Sequence, residues 1–216
     1  ALNGTNGFVF EAAATGDVFG HSVSSAGDFN GDGFDDFMVG APLDASANAV
    51  VGSTYVVFGR GAPMPSTLAA TALDGTNGFR IDGEAVDDQF GSAVSSLGDF
   101  NGDGYDDLLV LATSGDVGGI DSGTAYVVFG RAGNASPSVF GTSEAQDPTR
   151  SLAALDGSNG FRLAGAGAFN FAGANVSGAG DVNGDGYDDV LVSGPNNNPD
   201  SSPGGTTYLL FGRGDG

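Results

Sequence analysis

Asp28, Asn30, Asp32 and Asp36 stand at positions 1, 3, 5 and 9 of the segment Asp28-Phe29-Asn30-Gly31-Asp32-Gly33-Phe34-Asp35-Asp36. The same pattern returns with Asp99, Asn101, Asp103 and Asp107, and again with Asp181, Asn183, Asp185 and Asp189. Each copy has Gly at positions 4 and 6, and Phe34, Tyr105 or Tyr187 at position 7. This spacing wraps a short loop of oxygen donors around one hard cation. The side chains of positions 1, 3, 5 and 9 would coordinate, position 7 would add its backbone carbonyl, and Gly at position 6 allows the sharp turn. The chemistry suits Ca²⁺, and the chain is expected to hold three of them, one in each loop. The flexible, carboxylate-rich loop favours Ca²⁺ over Mg²⁺. The acids at position 8, Asp35, Asp106 and Asp188, are expected to point outward. A metal-free Asp/Asn/Gly hairpin turn is the plain alternative. Four like charges within nine residues argue against it, because they repel unless a cation joins them. An EF-hand would need Glu at position 12 between helices; Val39, Val110 and Val192 stand there, inside apolar runs.

No set of residues assembles a catalytic site. The single His, His21, aligns with Ser92 and Ala174 in the other copies, so it is not part of the repeated design. Ser22, Ser24 and Ser25 lie near it without a repeated acid and base. The Asp pairs could serve acid/base chemistry, but their repetition fits metal ligation. Glycine-rich Asn3-Gly4-Thr5-Asn6-Gly7 lacks the Lys-Ser/Thr of a phosphate loop. The five Tyr and 16 Phe mostly recur at apolar positions and read as core, with a sugar-binding role for some as the alternative. The chain is expected not to be an enzyme.

The elements that position the loops repeat with them. Leu2-Asn3-Gly4-Thr5-Asn6-Gly7-Phe8 matches Leu73 to Phe79 and Leu155 to Phe161, and each unit closes in Tyr-apolar-apolar-Phe-Gly-Arg at Arg60, Arg131 and Arg213. Repetition at this scale marks a repeat architecture. The expected units are 1–60, 73–131 and 155–213, separated by linkers at 61–72 and 132–154. The second linker, rich in Ala, Ser, Pro and Gly, is expected to be a surface excursion. Within a unit the runs Phe8-Val9-Phe10, Gly20 to Ala26, Phe37-Met38-Val39 and Tyr55-Val56-Val57-Phe58 are short and bounded by Gly. Such runs read as strands. Nothing shows capped helical periodicity. The predicted fold class is all-β: propeller blades of four antiparallel strands, three repeats per chain.

Composition narrows the partners. Against 27 acids stand six bases, all Arg, and the formal charge is −21. Nucleic acid is excluded, since phosphate binding needs clustered cations. The loops hold 12 of the acids, so three Ca²⁺ would bring the charge to −15. No apolar run approaches membrane-spanning length, so no membrane insertion is expected. There is no Cys, hence no disulfide. Absent disulfides, with Ca²⁺ as the staple, suit an extracellular or cell-surface protein of bacterial origin.

Taken together, these motifs resemble the FG-GAP repeat, the blade of the integrin α-subunit β-propeller. Phe19-Gly20 and Phe90-Gly91 match its Phe-Gly element, the acidic loop follows, and Gly40-Ala41-Pro42 matches Gly-Ala-Pro. Departures are Phe171-Ala172-Gly173 in the third unit, and Leu111-Ala112-Thr113 and Ser193-Gly194-Pro195 at the Gly-Ala-Pro position. They touch turns, not metal ligands. The resemblance implies that the calcium loop joins the first two strands of a blade, and that each unit's opening strand completes the preceding blade. It also implies a ligand face at the opposite end, built from Ala12 to Val18, Gly83 to Gln89 and Ala164 to Asn170. Leu43 to Ser53, Ala112 to Gly123 and Pro195 to Gly205 would join them.

Three blades cannot close alone. Either further blades lie in a longer chain, or two chains form a homodimer completing a six-bladed ring; the dimer is favoured for the isolated chain. The expected function is a calcium-binding, integrin-like module for extracellular adhesion or ligand binding, with an unknown protein or glycan partner and structural Ca²⁺. The alternatives are a scaffold or substrate-binding part of a polysaccharide-active enzyme, and a structural spacer in a large surface protein.

Overall fold

The computed structural model describes residues 1–46, 49–132, 149–152, 155–165, 175–194 and 204–214. Phe171-Ala172-Gly173 and most of the 132–154 linker lie outside them, as do parts of the 164–170 and 195–205 segments. Strand β1 (Val9–Glu11) opens the chain, followed by β2 (Ser22–Gly27), β3 (Asp36–Ala41), a two-residue hairpin of β4 (Ala45–Ser46) and β5 (Ala49–Val50), and β6 (Ser53–Val57). Then come β7 (Thr67–Ala69), β8 (Gly78–Asp82), β9 (Phe90–Gly98), β10 (Asp107–Ala112) and β11 (Thr124–Val128). After β12 (Thr149–Ser151) follow β13 (Gly160–Ala164), β14 (Val176–Gly180), β15 (Asp189–Gly194) and β16 (Thr206–Leu210).

The sheets are antiparallel meanders, as β-branched and aromatic runs separated by glycine turns dictate. β2, β3 and β6 form the first, β9, β10 and β11 the second, and β14, β15 and β16 the third. The fourth strand comes from the next repeat. β8 pairs with β6, aligning Tyr55 with Arg80, and β13 pairs with β11, aligning Tyr126 with Arg162. A four-stranded blade therefore straddles two repeats.

Two features go beyond the four-strand expectation. β7 lies inside the 61–72 linker and pairs in parallel with β1, and β12 pairs in parallel with β8. The linker thus carries a strand and a 3₁₀ turn, Ala70–Ala72, and buries Leu68 and Ala70.

β2, β9 and β14 pack side by side, so the sheets stack face to face as propeller blades do. β3 and β10 run through the middle of their sheets and are almost wholly buried. One core lies between the first two sheets, with Met38, Val56, Phe79, Phe90, Leu108 and Tyr126. The next joins the second and third, with Leu97, Leu109, Val127 and Val190. A third covers the outer face of the first sheet, where Phe8, just before β1, and Phe10 of β1 pack with Phe37 and Tyr55.

Candidate metal centres

The three acidic loops close the β2–β3, β9–β10 and β14–β15 hairpins. Each is entered through a β-bulge at a glycine with positive φ: Gly27, Gly98 and Gly180. Such a bulge twists the hairpin and throws the following carboxylate into the loop. Position 6 is also left-handed, with φ of 88°, 89° and 94° at Gly33, Gly104 and Gly186.

The loops fold on their own side chains in one repeated pattern. The position-1 carboxylate accepts the N–H groups of positions 5 and 6: Asp28 from Asp32 and Gly33, both at 2.9 Å, Asp99 from Asp103 and Gly104, and Asp181 from Asp185 and Gly186. The position-3 amide oxygen of Asn30, Asn101 or Asn183 accepts the position-5 N–H at 2.9 Å. The position-5 carboxylate accepts the N–H of Phe34, Tyr105 or Tyr187 at 3.0 Å. Positions 1, 3, 5 and 7 are thus brought together on one short loop.

Position 9 is different. Asp36, Asp107 and Asp189 are buried at the start of the second strand. Each accepts the N–H of the glycine two residues after the closing strand, Gly59 at 2.8 Å, Gly130 at 2.8 Å and Gly212 at 2.9 Å. Asp107 and Asp189 also accept the position-2 N–H, from Phe100 and Val182. Asp36 Oδ2 is buried without a hydrogen-bond partner. The position-9 carboxylate therefore ties its loop to the far strand of the same sheet.

Among the described residues these carboxylates form no ion pair. Burial, with the charges of Asp32 and Asp28 beside it, pushes Asp36 up to about 7. Burial, reinforced by Asp103, pushes Asp107 up to about 8. The exposed Asp181 is held below the usual carboxylate range, chiefly by the Gly186 N–H. The ion pairs Arg80–Asp82 and Arg162–Glu84 lie away from the loops. Among the described residues, no three acidic or His side chains converge as a ready-made cation cluster. The donor set nevertheless fits a hard cation: it is all oxygen and mutually repelling, and in the first loop it holds a buried carboxylate oxygen, Asp36 Oδ2, without a hydrogen bond.

The position-8 acids do not all point outward. Asp106 accepts the N–H of Asp28 at 2.7 Å, and Asp188 accepts the N–H of Asp99 at 3.0 Å. Each reaches back to the loop of the preceding repeat and lies so close over Gly27 or Gly98 that a Cβ there would clash. The neighbouring aromatics follow: the Tyr105 ring covers Gly31 and the Tyr187 ring covers Gly102. Arg131 N–H donates to Phe29 O at 2.9 Å, and Arg213 N–H to Phe100 O at 3.0 Å. The loops are thus latched one to the next. Only Asp35, in the first loop, is exposed as expected. The signal was the recurrence of the acid at position 8 in all three loops.

At the other end of the blades, Leu43 N–H donates to Asp17 O, and Ser114 N–H to Asp88 O, joining the 12–18 segment to 43–53 and 83–89 to 112–123. Val18, Leu43, Val86, Val117 and Ile120 are exposed there. Non-glycine residues with positive φ gather on the same loops: Val18, Asp87, Gln89 and Asp121. Sequence reasoning missed a polar set below them, in which Tyr55 OH donates to Asp44 and Tyr126 OH to Glu84, with Arg162 paired to Glu84 at 2.8 Å. His21 is exposed.

The family described as FG-GAP repeat matches residues 19–57, 90–128 and 172–210, more than half of the chain. Integrin alpha-IIb of Mus musculus is 34% identical over 153 residues, covering 68% of this chain and 13% of its own length. Integrin alpha-5 of Xenopus laevis is 33% identical over 182 residues, covering 74% of this chain and 16% of its own. Integrin alpha-PS5 of Drosophila melanogaster is 39% identical over 105 residues, 48% of this chain and 9% of its own length. The chain thus spans a small fraction of the curated relatives it matches.

Proposed function

Because the chain belongs to the FG-GAP repeat family, we propose that it is a calcium-stapled, integrin-α-like propeller module that acts by binding, not catalysis, outside the cell or on its surface. One observation carries the metal reading. Three loops of one sequence pattern fold onto one hydrogen-bond pattern, and each buries a position-9 carboxylate that forms no ion pair among the described residues. Asp28, Asn30, Asp32 and Asp36 would hold the first Ca²⁺, with the Phe34 carbonyl. Asp99, Asn101, Asp103, Asp107 and Tyr105 would hold the second, and Asp181, Asn183, Asp185, Asp189 and Tyr187 the third. Bound Ca²⁺ supplies charge that offsets the repulsion among the loop carboxylates. Calcium modules of the extracellular type bind at roughly 10⁻⁴ to 10⁻³ M.

Adhesion or ligand binding is supported by the opposite end, where exposed aliphatic side chains and strained backbone gather on the same loops. Such strain collects at functional sites. A Cys-free chain stapled by metal suits a bacterial surface protein. Among the described residues no helix is long and apolar enough to cross a membrane.

Calorimetric titration of chelator-treated protein with Ca²⁺ and with Mg²⁺ tests the metal reading. Three Ca²⁺ per chain, with Mg²⁺ weaker, is expected; no heat and no change in melting temperature with Ca²⁺ would overturn it. Screening on glycan and extracellular-protein arrays tests the role. Binding that is lost in the Val86→Asp/Ile120→Asp variant supports a ligand face at this end. Absent binding favours a structural spacer.

A further inference from the structure

We propose, as an inference that rests on the calcium reading of the loops, that the three sites are coupled. Asp106 and Asp188, the position-8 acids, are positioning residues for the loop before their own, so that filling one site tightens its neighbour.

Two short paths join the first loop to the second. Along one, Asp106 holds both backbone groups of Asp28: its carboxylate accepts the Asp28 N–H at 2.7 Å, and its own N–H donates to Asp28 O at 3.4 Å. Asp28 is the position-1 donor of the first loop, and its carboxylate takes the N–H groups of Asp32 and Gly33. The residue after Asp106 is Asp107, the buried position-9 donor of the second loop. Along the other path, Asp107 accepts the Gly130 N–H at 2.8 Å, and the next residue, Arg131, donates its N–H to Phe29 O at 2.9 Å. Phe29 stands between the donors Asp28 and Asn30. A ligand of one site thus reaches a ligand of the other through Asp106 alone, or through Gly130, Arg131 and Phe29.

The contact leaves no room to slide. A Cβ on Gly27 would overlap the Asp106 carboxylate, and one on Gly130 would overlap Asp106 O and Phe29 O. Packing this close transmits a displacement instead of absorbing it. The second and third loops repeat the arrangement. The Asp188 carboxylate accepts the Asp99 N–H at 3.0 Å, and Asp188 N–H donates to Asp99 O at 3.3 Å. Asp189 accepts the Gly212 N–H at 2.9 Å, and Arg213 N–H donates to Phe100 O at 3.0 Å.

The sign of the coupling follows from what an empty loop must do. Its carboxylates repel, so its backbone has to be ordered before the donors can converge. With the second site filled, Asp107 is fixed, and with it Asp106 and Gly130, which hold the Asp28–Phe29 backbone. The first loop is then ordered in advance, and a ligand that meets an already ordered site loses less conformational entropy. Coupling is reciprocal, so the first site tightens the second by the same factor. Charge alone does not imitate this. An emptied second site is no more positive than a filled one, so emptying it cannot repel a cation from the first.

Nuclear magnetic resonance on the whole chain reads the loops one by one. The amides of Gly33, Gly104 and Gly186 each donate to the position-1 carboxylate of their own loop. Chelator-treated protein is titrated with Ca²⁺, and the midpoints of Gly33 and Gly186 are compared between variants. Asp103→Asn weakens the second site; read before Gly104 moves, the first and third sites should bind about fivefold less tightly than in the parent. In Asp106→Ala the first site should weaken and lose most of its response to Asp103→Asn, while the third site still responds through Asp188. Asp106→Asn keeps an acceptor for the Asp28 N–H and should retain the response. An unshifted Gly186 signal in chelator shows that each variant has folded. Sites that fill in the parent but ignore Asp103→Asn would overturn the coupling and leave the calcium reading standing. An undiminished response in Asp106→Ala would overturn the positioning role of Asp106. Equal losses in Asp106→Asn and Asp106→Ala would overturn it too, by assigning the effect to charge. No Ca²⁺-dependent shift in any loop would overturn the calcium reading and the coupling with it.

Discussion

At the residue scale, each loop carboxylate has two demands on it. Asp99 accepts two loop N–H groups and would also serve the cation. Replacing it by Ala therefore costs stability even in chelator, because the amides lose their acceptor. Asp99→Asn separates the two demands, since it keeps one acceptor oxygen and removes the charge. The expected outcome in thermal melts is a smaller rise in melting temperature on adding Ca²⁺ than the parent shows, with a loss in chelator smaller than that of Asp99→Ala, because one of the two N–H groups of Asp103 and Gly104 keeps its acceptor. A variant that loses as much in chelator as in Ca²⁺ would count against Asp99 as a ligand. The buried acids give a pH dependence whose sign depends on the metal. Burial raises the folded-state pKa values of Asp36 and Asp107 to about 7 and about 8, from the ordinary carboxylate value of 3.8. Between those limits the folded chain binds more protons than the unfolded one, so in chelator stability falls as pH rises from about 4 to about 8. Protons compete with Ca²⁺ for the same oxygens, so the stabilisation added by Ca²⁺ should instead grow over this range. Melts at several pH values, with and without chelator, check both slopes.

At the scale of the element, the loops work as couplings between blades as well as hairpin ends. Gly102 has φ +75°, and the Tyr187 ring lies where a side chain would stand. Gly184, at the same place in the third loop, has φ +78° with nothing within 4 Å. Gly184→Ala should thus cost only left-handed strain, about 1–2 kcal/mol. Gly102→Ala should add a clash with Tyr187 worth about 1–3 kcal/mol. Denaturant melts of the two variants measure the coupling by difference; equal losses would mean that the ring contact contributes nothing. Four-strand blades, the all-β class and the hairpin position of the loops were all legible in Gly-bounded apolar runs, because strand pattern is a local property. The parallel β7 and the β4–β5 hairpin were not. Thr67-Leu68-Ala69 is three residues long, and it becomes a strand only because β1 offers it an edge.

Over the whole molecule, charge decides how the chain responds to its medium. At −21, self-repulsion opposes the compact state. Raising salt shortens the screening length from about 10 Å at 0.1 M to about 3 Å at 1 M. The melting temperature in chelator should therefore rise with NaCl, and the rise should be smaller in Ca²⁺, where three cations would leave −15. Equal salt slopes in both conditions would argue that the loops take up no metal. Ca²⁺ held at a hundred times its dissociation constant should add about 2.7 kcal/mol for each independent site.

The amino-acid sequence by itself determined the repeat, the strand runs, the loop glycines and the oxygen donors at positions 1, 3, 5 and 9. All of these rest on spacings of a few residues, where local sterics and hydrogen bonding act. Only the tertiary structure decided where the position-8 acids go, since Asp106 meets Asp28 across 78 residues and Asp188 meets Asp99 across 89. It also showed that Asp36, Asp107 and Asp189 anchor the closing strand through Gly59, Gly130 and Gly212. A carboxylate that faces a cation and one that faces a backbone amide look alike in a sequence. Which it meets depends on how the sheets stack, and that is set by burying the apolar faces between them.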